Sequence, residues 1–447
     1  MGLPSAAASK TIPRKVTLMG LIAATYFIVS GGPFGIEDIV LKGGYGGAIL
    51  ILTITPLIWS MPTALMVSEL ASALPEEGGY YVWVRRAMGR FWGFQEAWLS
   101  LAGSVFDVAI YPTLFVQYLG HFAPAVTAGH KGTWIGLGLI TVSALWNLLG
   151  AKTVGGSSVV LGLALLAPFA VLAILALFHR GPAANGIPLA HADLFGGIGL
   201  AMWNYMGWDN SSTIAGEVER PQRTYPLAMA GAVTLVAATY VAMVGAVALT
   251  GLDPNRWTTG GWGDVARAIL PGWSGAAVAA GITVAGMISA LGTQNAQVMA
   301  FSRLPAVMAE DGFLPRLLAK RDARTGAPWV SILVCSAAWA LSLGLSFTKL
   351  VLLDVLLTGL SILLEFAALV ALRIREPGLA RPYRVPGGLA VAAALGILPA
   401  TLLALTAARS KVEPVGPINA LEFGAILVVS GVLAYFIGER IRQHDHR

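Results

Sequence analysis

Residues 28–38 read IVSGGPFGIED. They fall inside 17–42, a run otherwise apolar enough to cross a membrane as a helix. Gly31, Gly32 and Pro33 in succession, with Gly35 close behind, do not continue an α-helix without cost, and Pro33 has no N–H to donate. Two carboxylates, Glu37 and Asp38, come next. Irregular backbone at membrane depth persists only where it lines a cavity or is buried in protein. The stretch therefore reads as two half-helices flanking an unwound segment.

The surrounding chain supports a membrane setting. Its 447 residues are 56% hydrophobic and only 12% charged, with a mean hydropathy of +0.73. Soluble domains carry about a quarter charged residues. Twelve apolar segments of spanning length run over 17–42, 47–74, 91–121, 133–151, 156–178, 194–218, 225–250, 276–306, 328–347, 349–372, 385–408 and 417–439. About 20 apolar residues span the hydrocarbon as a helix, and only helices or closed barrels satisfy their backbone there. The alternating ten-residue segments of a barrel are absent.

The net charge of +6 does not point to nucleic acid, because it is distributed by side. With twelve spans and both termini in the cytoplasm, 21 of the 29 Lys and Arg fall in the inner connections. That is the positive-inside bias. The expected location is the cell (inner) membrane. The single cysteine, Cys335, excludes an intrachain disulfide and reads as a small buried apolar residue. All six histidines lie in connections or the tail, so neither a metal site nor a cofactor is expected. The polar start is followed by a full-length span, which reads as an uncleaved anchor rather than a signal peptide.

Span 6 repeats the feature of span 1. Residues 193–217 read DLFGGIGLAMWNYMGWDNSSTIAGE, with Asn, Gly, Asp and paired Ser weakening the helix at mid-depth. The breaks centre near residues 32 and 206, five spans apart. Interrupted segments at corresponding positions of two halves point to an inverted-repeat secondary transporter. An odd number of spans per half places the halves in opposite orientations. Unwinding exposes N–H groups at the start of each outer half-helix and C=O groups at the end of each inner one, which suit anions and cations respectively.

Four stretches carry a resemblance: GGPFGIED, SELASALPEEGGYYVWVRRAMGRFWGF after span 2, WNYMGWDNSSTIAGEVERPQRTYP in span 6, and EFAALVALRIREPGLARPYRVP after span 10. With these the chain resembles the amino acid–polyamine–organocation superfamily, and within it the plant-type polyamine:proton symporter branch. The resemblance implies an all-α polytopic protein with a five-plus-five inverted repeat and two added C-terminal helices. The corresponding divisions are a cytoplasmic tail 1–15, repeats 16–178 and 194–372, spans 11 and 12 over 385–439, and a tail 440–447. It also implies a central site between spans 1, 3, 6 and 8, and alternating access. Position by position, Gly31, Gly32, Phe34 and Gly35 match the unwound segment of span 1. Trp203 matches an aromatic gate. Met206, Gly207, Trp208 and Asp209 match the unwound segment of span 6 and the residues just after it. Glu37 and Asp107 match acidic positions of the polyamine branch. Two departures stand out. Span 5 lacks the lysine that many superfamily members use in proton coupling, so a carboxylate must carry any coupled proton. Gln297 stands near an acidic position of plant-type span 8, which leaves a polyamine site one anchor short.

The acids divide into two groups. Glu69, Glu76, Glu77, Glu96, Glu217 and Glu219 read as loop architecture and inner gating, the last two beside Arg220 and Arg223. Glu37, Asp107, Asp209 and Glu365 lie within spans, where each ionisable group costs about 2.5–3.5 kcal/mol on the insertion scale. Asp107 is about 24 Å along span 3 from Phe91 at 1.5 Å per residue. The spans hold almost no Lys or Arg; Arg303 and Arg373 lie towards inner ends. The acids must be protonated, wet, or neutralised by what arrives. Glu365 reads as structurally hydrogen-bonded. Glu37, Asp107 and Asp209 suit ammonium groups, and Phe34, Trp203, Tyr205 and Trp208 offer cation–π faces. An amino acid would instead set its carboxylate on the N–H groups after Gly32, where Pro33 removes a donor and Glu37 repels an anion.

The expected function is a permease, not an enzyme. It would import polyamines or related organic cations within the lipid bilayer, with a coupled proton or the membrane potential as the driving force. An amino acid permease of the same fold is the alternative, and a non-transporting sensor the distant one.

Overall fold

The structure, a computed structural model, describes residues 16–76, 79–149, 158–182, 192–212 and 218–445. The tail 1–15, Glu77, Lys152 and Glu217 lie outside the described residues.

The chain is mostly helical. The first half holds α1 Leu18–Val29, α2 Glu37–Thr55, α3 Met61–Ala73, α4 Gly79–Met88, α5 Arg90–Phe122, α6 Pro124–Thr127, α7 Lys131–Leu148 and α8 Ser158–Phe178. The second holds α9 Leu194–Asn204, α10 Pro221–Ala248, α11 Trp262–Ile269, α12 Gly272–Phe301, α13 Arg303–Glu310, α14 Trp329–Ala340, α15 Phe347–Arg375, α16 Gly388–Leu395, α17 Ile397–Ser410 and α18 Ala420–Asp445. The two-residue strands Pro414–Val415 and Ile418–Asn419 form a hairpin between α17 and α18. Among the described residues, seven stretches are long and apolar enough to cross a membrane, and α1, the Leu165–Phe178 part of α8, and α14 are shorter apolar helices. This is an integral membrane protein.

Local chemistry explains the helix ends near the breaks. Thr17 caps α1, its hydroxyl accepting from the Gly20 N–H at 3.3 Å. α1 stops at Ser30, where Gly31 and Gly32 take φ of +61° and +118°. α2 is divided by Gly44, whose backbone is left-handed. A π-turn over Pro56–Ser60 then joins α2 to α3, at the point where Pro56 removes a ladder donor. Asp193 caps α9 through the Gly196 N–H at 3.0 Å. Burial pushes the Asp193 carboxyl up, but Gly196, Lys42 and Arg409 outweigh it and hold it below the usual carboxylate range. α18 runs past residue 439, so the expected C-terminal tail is helical to Asp445.

α5 is the central column, packed along both α12 and α15. α1 lies against α10, α9 against α2, and α8 against α12 and α10. The C-terminal helices sit outside this core. Only 17% of the apolar window in α18 and 22% of that in Gly388–Ser410 is buried, against 61% for α5 and α15. Their remaining apolar surface suits lipid and would be untenable in water.

Ion pairs gather into two sets. In one, Asp193 joins Lys42 at 3.2 Å and Arg409 at 3.1 Å, and Arg267 joins Asp264 within α11 at 3.3 Å. In the other, around α4, Arg85 pairs with Asp311, Arg86 with Glu376 at 2.8 Å, and Arg90 with Glu439 at 3.2 Å. The buried carboxylate of Glu69 takes Arg373, Arg381 and the Val385 N–H. Removing one member of such a buried pair costs about 3–5 kcal/mol. These sets define an α11 end and an α4 end.

Candidate functional site

The two breaks face one another. Asn204, the last residue of α9, donates to the Gly35 carbonyl at 3.2 Å, and Tyr240 of α10 bridges the Ser30 hydroxyl at 2.9 Å and the Asn204 carbonyl at 3.3 Å. Beyond the end of the inner half-helix, three carbonyls belong to the unwound segment itself. They are occupied: Ser289 donates to Gly31 at 2.8 Å, Ser30 to Gly32 at 3.1 Å, and Trp262 to Pro33 at 2.6 Å. Buried carbonyls without water must find such partners.

The glycines serve close approach. A Cβ on Gly31 would stand 2.9 Å from the Ser289 hydroxyl, and one on Gly35 only 2.7 Å from the Trp203 ring, at a φ of +81°. Trp203 thus lies close over unwound backbone, with Phe347 edge-on at 5.6 Å.

Between the breaks, α5, α12 and α15 enclose a cleft with about 740 Å³ of empty space, part of it open to solvent. Of the residues expected at a site, Phe34, Asp107, Trp203, Met206, Gly207 and Gln297 line it. Asp107 is held by three donors. The Tyr111 hydroxyl and the Trp203 indole N–H reach Oδ1 at 3.2 and 3.4 Å, and the Gln297 amide reaches Oδ2 at 2.8 Å. Gln297 therefore orients Asp107 instead of standing as a vacant anchor.

The other expected residues stand back from the cleft. Glu37 begins α2, fully buried, behind Tyr118, whose hydroxyl donates to Oε1 at 2.9 Å; its Oε2 has no hydrogen-bond partner among the described residues. Tyr205 turns to the Leu52 carbonyl at 2.8 Å, and the Trp208 indole to the Tyr205 carbonyl at 2.7 Å. Both rings are fully buried and offer no open face to a cation, because the unwinding after Asn204 rotates them into the core. Gly31, Gly32 and Gly35 contribute backbone only.

Asp209 is buried, and it, Glu96 and Glu365 all lie within electrostatic reach of Tyr80 of α4. Two expectations are corrected here. Glu96, expected to serve the inner loop and gating, is a fully buried member of α5, bonded to Ser361 and Ser100. Glu365 has no hydrogen bond on either oxygen among the described residues.

The cleft holds an acid that sequence reasoning passed over. Asp354 of α15 lines it opposite Asp107, with the Thr358 hydroxyl donating to Oδ1 at 2.7 Å. Gly103 permits this approach, since a Cβ there would stand 2.5 Å from Thr358 Oγ1. The signal was available: a lone Asp within VLLDVLLTGL is an intramembrane acid. Asp354 is thus a second acid in the cleft besides Asp107.

Towards the α11 end the cleft is walled by rings. Phe34 meets Tyr118 and Phe169 edge-on at 5.4 and 4.9 Å, and Phe169 meets Trp262 at 5.2 Å. The lining contains no Lys, Arg or His among the described residues.

Residues 19–432 match the family model described as amino acid permease. The chain belongs to the amino acid permease family. It is a transporter rather than an enzyme, a member of the amino acid–polyamine–organocation superfamily, and takes a small-molecule substrate. It is 36% identical to the polyamine transporter PUT1 of Oryza sativa subsp. japonica, over 95% of this chain and 80% of the relative. It is 34% identical to the polyamine transporter RMV1 of Arabidopsis thaliana, over 92% and 84%. The serine/threonine exchanger SteT of Bacillus subtilis is similar at 26% identity, over 77% and 81%.

Proposed function

We propose that this permease imports polyamines or related organic cations by alternating access, with ammonium groups bound between Asp107 and Asp354. The observation that carries the reading is the cleft's charge: two acids from facing helices, aromatic faces at Trp203, Tyr111 and Phe34, and no basic side chain in the described lining. Two carboxylates in a low-dielectric cleft repel, and an incoming dication relieves that repulsion. Plant relatives named polyamine transporters support the same substrate class.

In this reading, twelve spans form a five-plus-five inverted repeat, 16–178 and 194–372, with two further helices over 385–439. Both termini lie in the cytoplasm of a cell-membrane protein. The α4 end, rich in Arg, is then the inner face. The aromatic wall and Trp262 close the outer side, and Trp203 over Gly35 is the element that moves. Inside-negative potential favours entry by about 2.3 kcal/mol per charge per 100 mV, and a coupled proton adds to it.

Glu37 favours amines over amino acids. It occupies the start of α2, where an amino acid carboxylate would seek backbone N–H groups, and its own carboxyl already fills that position. Putrescine and ornithine differ by that carboxylate alone. Proteoliposomes under an imposed potential and pH gradient should accumulate labelled putrescine and spermidine over ornithine, and Glu37→Gln should narrow that preference while keeping spermidine binding. Uptake of neutral or basic amino acids with no amine signal would overturn the cation reading and favour an amino acid permease akin to the serine/threonine exchanger.

A further inference from the structure

Beneath the cleft lies a second layer of acids. Glu96 stands 11 residues before Asp107 on α5, and Glu365 stands 11 residues after Asp354 on α15. Eleven residues are close to three helical turns, so on each helix both acids share a face, about 16 Å apart. α5 and α15 pack along their length, which sets Glu96 beside Glu365 as it sets Asp107 across from Asp354.

Glu96 and Glu365 are fully buried, and Asp209 is 6% exposed. Ser361 and Ser100 both donate to Oε1 of Glu96, and Ser100 and Ser361 lie 3.1 Å apart. Among the described residues, four carboxylate oxygens of this layer remain without a hydrogen-bond partner: Glu96 Oε2, Asp209 Oδ1 and both oxygens of Glu365. The buried hydroxyl of Ser212, beside Gly79, is likewise unpartnered among them.

The groups that act electrostatically on Glu365 are Asp209 and Glu96, and Tyr80 of α4 feels all three acids. No Lys or Arg of the described residues is among them. The nearest basic group along α15, Arg373, is committed to Glu69. Three carboxylates cannot all stay ionised in one dry pocket without a cation. This layer offers carboxylates and hydroxyls, groups that exchange protons.

We infer that Glu96, Asp209 and Glu365 form the proton-binding site of this transporter, separate from the substrate cleft and joined to it through Asp209. Asp209 lies between Gly207 and Asn210, which both line the cleft, so the cleft and the layer below share one stretch of backbone. A proton bound to one of these carboxylates cancels one negative charge, and its release on the α4 side restores it. This assignment rests on the proposed import of cations with a coupled proton, and it supplies the carboxylate that a lysine-free span 5 requires.

The test separates binding from coupling. Wild-type protein and Glu365→Gln are assayed in proteoliposomes for putrescine counterflow without gradients, then for uptake driven by an inward proton gradient or an inward sodium gradient. Counterflow retained in the variant, with proton-driven acceleration reduced at least tenfold, supports the site. Proton-driven acceleration undiminished in Glu365→Gln, no proton response in the wild type, or a sodium response in its place would each overturn it. Absence of wild-type counterflow would instead sink the substrate reading. If the variant does not fold, wild-type protein is treated with dicyclohexylcarbodiimide and its peptides mapped. Labelling of Glu96, Asp209 or Glu365 that falls as pH rises supports a protonated carboxyl there, and labelling of none of them overturns it.

Discussion

Replacing Asp107 by Asn removes the charge of the cleft while keeping its shape. Oδ1 of Asp107 accepts from Tyr111 and Trp203, and an Asn oxygen keeps both contacts. The new amide then faces the Gln297 amide nitrogen, which now lies 2.8 Å from Oδ2. Gln297 can turn its own amide over and present oxygen, so the network survives with one flip. What is lost is one carboxylate to an ammonium. A hydrogen bond to a charged group is worth about 1.5–3 kcal/mol, which is roughly 10- to 150-fold in dissociation constant. Asp354 remains and keeps the loss towards the lower end for a diamine. Putrescine and spermidine binding to detergent-purified protein should therefore weaken by at least tenfold, with the melting temperature within a few degrees of wild type. Removing both acids should weaken binding by more than the product of the single losses, because each acid partly compensates for the loss of the other. A stable Asp107→Asn protein that binds spermidine within twofold of wild type would refute the assignment of the cleft to cations.

Other expectations come from the same geometry. Gln297→Glu adds an acid where the resemblance implied one but removes a donor to Asp107, so selectivity should shift towards spermidine over putrescine in competition uptake. Gly35→Ala forces a Cβ to within 2.7 Å of the Trp203 ring at a left-handed φ; strain of about 1–3 kcal/mol should lower the melting temperature and slow uptake more than it weakens binding. Because the Asp193 carboxyl is held below its ordinary value, its contribution is present above the ordinary aspartate range and is lost as pH falls through the lowered value. Asp193→Asn should erase that part of the acid-side loss in a thermal-shift pH series.

The sequence by itself determined the solvent, the class and the breaks. A charged fraction of 12% sets the chain in lipid, and the Gly-Gly-Pro run after Ser30 permits no continuous helix there. Asp107, Phe34 and Trp203 were legible as cleft residues because intramembrane acids and rings beside unwound backbone are costly unless used. Tertiary structure decided which way the remaining groups face. Unwinding after Asn204 turns Tyr205 and Trp208 into the core, a rotation no periodicity encodes once the helix is broken. Glu96 resembled a loop acid because it lies only six residues into α5, and packing against α15 buries it. Asp354 joined the site only because Gly103 lets α15 approach α5 closely, a contact between residues 251 positions apart. Helix periodicity assigns a residue to a face, but the neighbour across that face comes from the packing of distant segments, and in this permease that packing makes four buried acids of α5 and α15 into two layers.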